Sequence, residues 1–168
     1  MFRGIFRSAT FWMAIGFMVS VAAPAAAVTR TWDGGGADNN WMNAANWNNN
    51  VAPAAGDDLL FPAGVVDTVT VNNFPAGTKF GVIAFNAPYT VSGNRILIGN
   101  TIGHLGPGEV RFTTDITLDG GPGAPGTITI LVEDLGSTIR IDGVIDAPAH
   151  RLRPRCVRTA PACSICSA

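Results

Sequence analysis

Between Thr31 and Asn50 the chain reads TWDGGGADNNWMNAANWNNN, and two kinds of chemistry are open to such a stretch. Trp32, Trp41 and Trp47 would make a carbohydrate platform if their rings lay in a row in solvent, because indoles offer large flat apolar faces. Asp33 and Asp38, joined by Asp57 and Asp58 further along and aided by Asn39 and Asn40, would supply the oxygen ligands that calcium takes. The spacing fits neither use closely. DGGGADNN lacks the Asp-x-Asp-x-Asp-Gly loop that ends on Glu, and Gly and Asn are equally what a tight irregular loop requires.

Elsewhere the residues that could react are scattered. Asp115 and Asp119 lie four apart with Arg111 on the same face if the strand is unbroken, and Glu133 adjoins Asp134 on opposite faces. Paired carboxylates serve glycoside hydrolysis and proton abstraction. Acids that alternate with Ile and Leu, however, describe the wet face of a half-buried strand. His104, in NTIGHLGPG, stands alone and reads as a surface-loop residue rather than a base. His150, Cys156, Cys163 and Cys166 can be drawn as a zinc set, H-x5-C-x6-C-x2-C. Zinc sites pair short-spaced ligands at both ends, and only Cys163–Cys166 does so here. The sequence therefore reads as a non-enzyme that calls for no cofactor.

The elements that would hold these residues begin after a leader. Residues 1–27 carry Arg3 and Arg7, a 13-residue apolar run from Phe11 to Ala23 and an A-x-A end at Ala25–Ala27. That is the pattern of a secretory signal peptide, too short to span a bilayer. The expected product is exported, secreted or displayed at the cell surface, with no membrane span after the leader is removed. From Val28 to Ala149 twelve acids face five cations, a net charge of −7. Such a body is a poor partner for nucleic acid, where affinity comes from neutralising phosphates. All three cysteines lie beyond it, so the body must hold together by packing and backbone pairing.

That body reads as all-β. Short runs rich in β-formers recur: TVTV (68–71), KFGVIAF (79–85), YTV (89–91), RILI (95–98), EVRF (109–112), DITL (115–118), TITILV (127–132) and TIRI (138–141). Several alternate apolar and polar residues, the mark of a strand with one buried face. Between them lie PAG, SGN, GPG, GGPGAPG and LGS, which are turn chemistry. Two architectures fit, an antiparallel β-sandwich and a parallel β-solenoid. Asn-Gly and Asp-Gly hairpin signals are scarce, and YTVSGNRILIGN and STIRIDGVIDA share a strand–Gly–strand unit. Both features favour the solenoid, with roughly 20–29 residues per coil.

The match WDGGG, NW, AANW and APAAGD at Trp32–Gly36, Asn40–Trp41, Ala44–Trp47 and Ala52–Asp57 resembles the opening of large secreted bacterial proteins with autotransporter-associated β-strand repeats. The later segments VNNFPAGTKFGVIAFNAPYTVSGNRILIG and GTITILVEDLGSTIRIDGVID resemble that family's coils. The resemblance implies a right-handed parallel β-helix, surface-displayed or secreted, usually without catalysis. It divides the chain into a leader (1–27), a cap segment (28–57), coils (58–147) and a basic Cys-containing tail (148–168). On that fold the Trp-rich stretch is expected to cover the open edge of the first coil, with Trp41 and Trp47 on one face if the segment between them is extended.

After Asp146 the chain loses every acid and gains Arg, Pro and Cys, the residues that GC-rich codons give when read out of phase. The coils are accordingly expected to continue in the natural gene, and an uncapped last coil to self-associate edge to edge. Two functions follow: a noncatalytic spacer, adhesin or matrix module, or a carbohydrate-binding or carbohydrate-active β-helix whose partner is an extracellular polysaccharide.

Overall fold

A computed structural model describes residues 27–119 and 128–147. The leader, the GGPGAPG turn and the Cys-containing tail, with the zinc set drawn there, fall outside the described residues. Eleven strands follow in order: β1 (Thr29–Thr31), β2 (Asp58–Phe61), β3 (Val69–Asn72), β4 (Lys79–Phe85), β5 (Tyr89–Gly93), β6 (Ile96–His104), β7 (Glu109–Phe112), β8 (Ile116–Leu118), β9 (Thr129–Val132), β10 (Thr138–Ile141) and β11 (Ile145–Asp146). The helical content described is two 3-10 turns, Ala44–Asn46 and Asn48–Asn50. The chain is all-β.

The strands form two sheets. One runs β1-β2-β4-β6-β8-β11, with β9 also on β6, and the other runs β10-β7-β5-β3. From β2 to β11 successive strands alternate between the sheets, apart from β8 and β9, which lie in the same one. Every pairing between these strands is parallel. That excludes the antiparallel sandwich. It also explains why hairpin dipeptides are scarce, since parallel neighbours need a crossover and not a two-residue turn.

Register turns the sequence into columns. Thr70, Val91, Phe112 and Ile141 are Cα partners in succession, at steps of 21, 21 and 29 residues. Leu59, Ile83, Ile102 and Ile130 make a second column, and Phe61, Phe85, His104 and Val132 a third. Because the strands run in register, inward residues meet their own counterparts. Phe61 and Phe85 stack with centroids 4.7 Å apart and planes 11° off parallel, the spacing of neighbouring strands. The long β6 serves two neighbours, β8 along Ile96–Ile98 and β9 along Thr101–His104, with a register shift between Phe80 and Val82 of β4 opposite it. A bulge of this kind bends a strand, and Gly99 sits at the bend, where a Cβ would meet the stem of Lys79 and the Phe80 carbonyl.

Outside the strands, corners stack on corners. The Asn94 amide donates to the Asn72 carbonyl (2.7 Å), the Asn72 side chain donates to the Asn94 carbonyl (2.9 Å), and the Thr114 hydroxyl donates to the Gly93 carbonyl (2.9 Å). Backbone passes so close to backbone here that side chains are excluded. A Cβ on Gly93 would strike the Asn72 carbonyl, and Gly93 also holds φ +98°. Gly93→Ala should lower stability in urea unfolding by about 3 kcal/mol or more, combining clash with left-handed strain. Gly77→Ala is the control. Gly77 shares the positive φ (+90°) but has nothing within 4 Å of the added methyl, so its loss should stay near 1 kcal/mol. Equal losses at the two positions would show that corner stacking contributes nothing.

Candidate functional site

In the Trp- and Asn-rich segment aromatic, acidic and amide side chains converge. β1 leads into it by pairing with β2, and Trp32 continues that line, its amide donating to the Leu60 carbonyl (2.8 Å). The chain then loops out and returns: Trp32 and Trp47 form an antiparallel bridge, and Asn40 bridges Val71 of β3 in parallel. Trp41 donates its amide to the Val71 carbonyl (3.0 Å) and Val71 donates to the Asn39 carbonyl (2.8 Å). Asn39–Trp41 thus lies along the outer edge of β3. The stretch from Trp41 to Trp47 is not extended, because the Ala44–Asn46 turn, capped by the Asn43 side chain, interrupts it.

All three tryptophans nonetheless point inward and are 0% exposed. Trp32 meets Trp47 edge-on at 5.2 Å, Trp41 lies 5.5 Å from Phe61 and 5.7 Å from Phe80, and Trp47 lies 5.8 Å from Phe61. Each buried indole removes about 150–250 Å² from water, a gross contribution on the order of 4–6 kcal/mol. The Trp47 ring N–H donates to the Trp41 carbonyl (2.7 Å), and that of Trp32 to the Asp67 carbonyl (3.3 Å). The sugar platform expected of Trp32, Trp41 and Trp47 is not formed, since it needs the ring faces that the core has taken.

The acids are equally occupied. Asp33 accepts from the Gly35 amide, and Asp58 from the Val82 amide (2.7 Å). Asp57 accepts from the amides of Val28 and Ala54 and from the Arg30 guanidinium (3.2 Å). Burial pushes the Asp57 carboxyl up, but these donors outweigh it and hold its pKa below the usual 3.8. Asp38 accepts from the side chains of Asn43, Asn40 and Asn46 and from the Asn40 amide. The Asn43 bond is the largest cause of its depressed pKa. Asp33, Asp38, Asp57 and Asp58 are therefore each held by donors of their own and do not make the calcium cluster expected of them. Among the described residues no three His, Cys, Asp or Glu side chains form a metal-holding group.

Sequence reasoning missed the organising residue, Asn46. It is wholly buried. Its oxygen accepts from the Gly36 amide (2.8 Å), and its nitrogen donates to the carbonyls of Asp38 (2.8 Å) and Asn40 (3.0 Å) and to the Asp38 carboxylate (3.2 Å). A Cβ on Gly36 would collide with this amide, which ties the third glycine of DGGG to Asn46. The only sequence trace was an Asn beside an inward Trp.

The other candidates separate. Strand β7 ends at Phe112 and β8 begins at Ile116, so Arg111, Asp115 and Asp119 do not share one strand face. Arg111 pairs with Asp142 (2.6 Å), Asp115 with Arg95 (3.0 Å) and Asp119 with Lys79 (3.3 Å). Glu133 and Asp134 lie exposed just after β9. His104 is not a surface-loop residue. It closes β6, is fully buried, and sets Nδ1 3.3 Å from the Phe85 carbonyl and Nε2 3.0 Å from that of Gly108. Its place in the Phe61–Phe85 column is what buries it.

No family model, curated protein or solved structure matches the chain.

Two outcomes follow from this geometry. Asn46→Ala should destabilise by about 2–4 kcal/mol, because it strands a buried amide and two carbonyls. Asn46→Asp, though nearly the same shape, should do at least as much harm at neutral pH by aiming an oxygen at the Asp38 and Asn40 carbonyls. A tolerated Asp in urea denaturation would remove Asn46 from the centre of the segment. The second concerns acid. Asp38, Asp57, Asp115 and Asp142 all have folded pKa values below 3.8. Their stabilisation is therefore complete above the unfolded value and is lost as pH falls through the depressed ones. The thermal midpoint should be level from about pH 7 to 5 and fall below about pH 4, and Asp57→Asn should make that fall shallower. A midpoint that rises on acidification would refute the assignment.

Proposed function

We propose that residues 58–147 form a short right-handed parallel β-solenoid, that residues 28–57 cap its first coil, and that the protein is a noncatalytic secreted or cell-surface module of the spacer, adhesin or matrix type. This is the reading that the resemblance to proteins with autotransporter-associated β-strand repeats implies. The observation that carries it is the unbroken parallel pairing of strands that change sheet along the chain, at register steps of 21, 21 and 29 residues. A chain that returns to each sheet one strand further on is winding, and crossovers between parallel strands are right-handed in nearly all cases.

The cap follows from what a stack requires. Its first strand has an edge with no coil beneath it, and that edge invites pairing with other chains. Asn39–Trp41 occupies the edge of β3, and the indoles fill the volume where a preceding coil would have placed its side chains. Noncatalytic function is supported by how the polar groups are used. The acids of the opening segment accept backbone and amide hydrogens, and Asp115, Asp119, Asp142 and Asp146 of the coils pair with Arg and Lys. An extracellular polysaccharide, if it is a partner, meets outward Thr, Arg and Asp side chains and not the indoles.

Tryptophan emission tests the cap directly. It should be blue-shifted and should stay fixed on addition of neutral glycans, acidic polysaccharides or a chelator. A saturable shift with a glycan would replace this reading with the carbohydrate-binding one.

A further inference from the structure

The start of β1 carries a contact whose character changes once the leader is cut away. The backbone nitrogen of Val28 lies 3.1 Å from Asp57 Oδ1 and donates to it. The other carboxylate oxygen, Oδ2, accepts from the Ala54 amide (2.9 Å) and from Arg30 Nε (3.2 Å). The Asp57 side chain is only 8% exposed, whereas Ala27 and Val28 are both exposed. A buried carboxylate therefore grips the chain at the residue that follows the A-x-A end of the leader.

Hydrolysis of the Ala27–Val28 bond breaks one C–N bond. Water supplies the new oxygen of the Ala27 carboxylate, and the Val28 nitrogen takes up protons to become an ammonium. The N–H that Asp57 accepts is then charged, and a charged donor to a carboxylate makes a bond roughly twice as strong as a neutral one. Because Val28 is exposed, the other ammonium hydrogens meet water and the charge is not stranded. The β1–β2 register brings Arg30, Asp57 and Asp58 to this point, two carboxylates against one guanidinium. Lys79, whose carbonyl takes the Gly56 amide, turns its own ammonium to Asp119. Position matters as well. Ala23-Pro24-Ala25 is also an A-x-A pattern, but a cut there leaves two residues ahead of Val28 and can carry the ammonium up to about 7 Å away.

We infer that Asp57 is the binding site for the α-ammonium that leader removal creates at Val28, so that cutting the Ala27–Val28 bond fastens the first strand. This rests on the exported-module reading and adds to it a site that only the processed chain completes. Strand β1 has three residues and pairs with β2 alone. The Val28 carbonyl takes the Asp58 amide (3.0 Å), so a fixed Val28 holds the first rung of that ladder.

N-terminal sequencing of the exported chain comes first and should return Val-Thr-Arg-Thr-Trp. Another first residue would sink the leader boundary, and the ammonium site with it. In the chain that begins at Val28, the α-amino group followed by NMR should titrate above the usual range of about 7.7–8.0. At equal pH the Asp58 amide should exchange about twofold to tenfold more slowly than in a chain that begins at Ala27. That gap is complete below the usual α-amino value and closes as pH rises through the raised one, where the charge is lost. Asp57→Asn should return the amine to its ordinary range. The comparison with the Ala27 chain needs no substitution and decides the matter even if that variant does not fold. An ordinary titration, equal Asp58 exchange in the two chains, or an amine that stays raised in Asp57→Asn would each overturn the ammonium site while leaving the boundary at Val28 standing.

Discussion

Parallel strands in register place each inward side chain directly over its counterpart about 20 residues away, at the strand spacing of about 4.8 Å. Most of the structure obeys this constraint. Like must stack on like, or the column must solve a local problem. Phe61 over Phe85 satisfies it with offset rings, and the isoleucines of the Leu59–Ile83–Ile102 column satisfy it by shape. Where backbone stacks on backbone at a corner, the constraint becomes a demand for glycine, as at Gly93 and Gly106, where an added Cβ would run into carbonyl oxygens below. His104 is the exception inside a column. A ring nitrogen cannot be left among aromatics without a partner, and the two carbonyls beside it are those of the layer below and of its own next turn.

What was legible in the sequence was what a single strand reveals. TIRI and EVRF alternate because one face of each is wet, and both runs became β10 and β7 with the residues expected. The shortage of hairpin dipeptides pointed to parallel pairing, which register bears out. The inward use of tryptophan was legible too, although by the wrong geometry: Trp41 and Trp47 converge through a 3-10 turn and not along one extended face. What was not legible depends on partners far away in the chain. Nothing near Arg111 announces Asp142, and nothing near Val28 announces Asp57. His104 looked solvated because its flanks, TIG and LGPG, read as a loop. Its burial is set by Phe85, one layer below.

The opening segment shows why a loop can imitate a binding site. Beyond β1 the opening segment pairs through the isolated bridges of Trp32 with Trp47 and Asn40 with Val71, so its remaining backbone amides and carbonyls need side-chain partners. Asp and Asn are the short residues that reach their own neighbouring backbone groups, and they are also the residues that ligate calcium. Asp38 and Asn46 settle which role prevails. The Asn46 amide joins Gly36, Asp38 and Asn40, and the Asp38 carboxylate gathers three asparagine side chains around the same point. Oxygens already holding several hydrogen bonds have few lone pairs left for a cation.

The same logic sets how stability is distributed. Val110, Phe112, Ile102 and Ile116 are wholly buried, whereas their partners one strand on, Ile139, Ile141, Ile130 and Ile145, are only partly covered. The outward ion pairs cannot redress this, because solvent screens exposed pairs such as Arg95 with Asp115 and leaves them little net stabilisation. They do steer register, since Arg95 reaches both Asp115 and Asp146 (3.7 Å) and Asp142 takes both Arg111 and Arg140. A slip of one residue would turn each of these charges toward the core. The hydrophobic columns hold the layers together, and the charges outside them fix which residue stands over which.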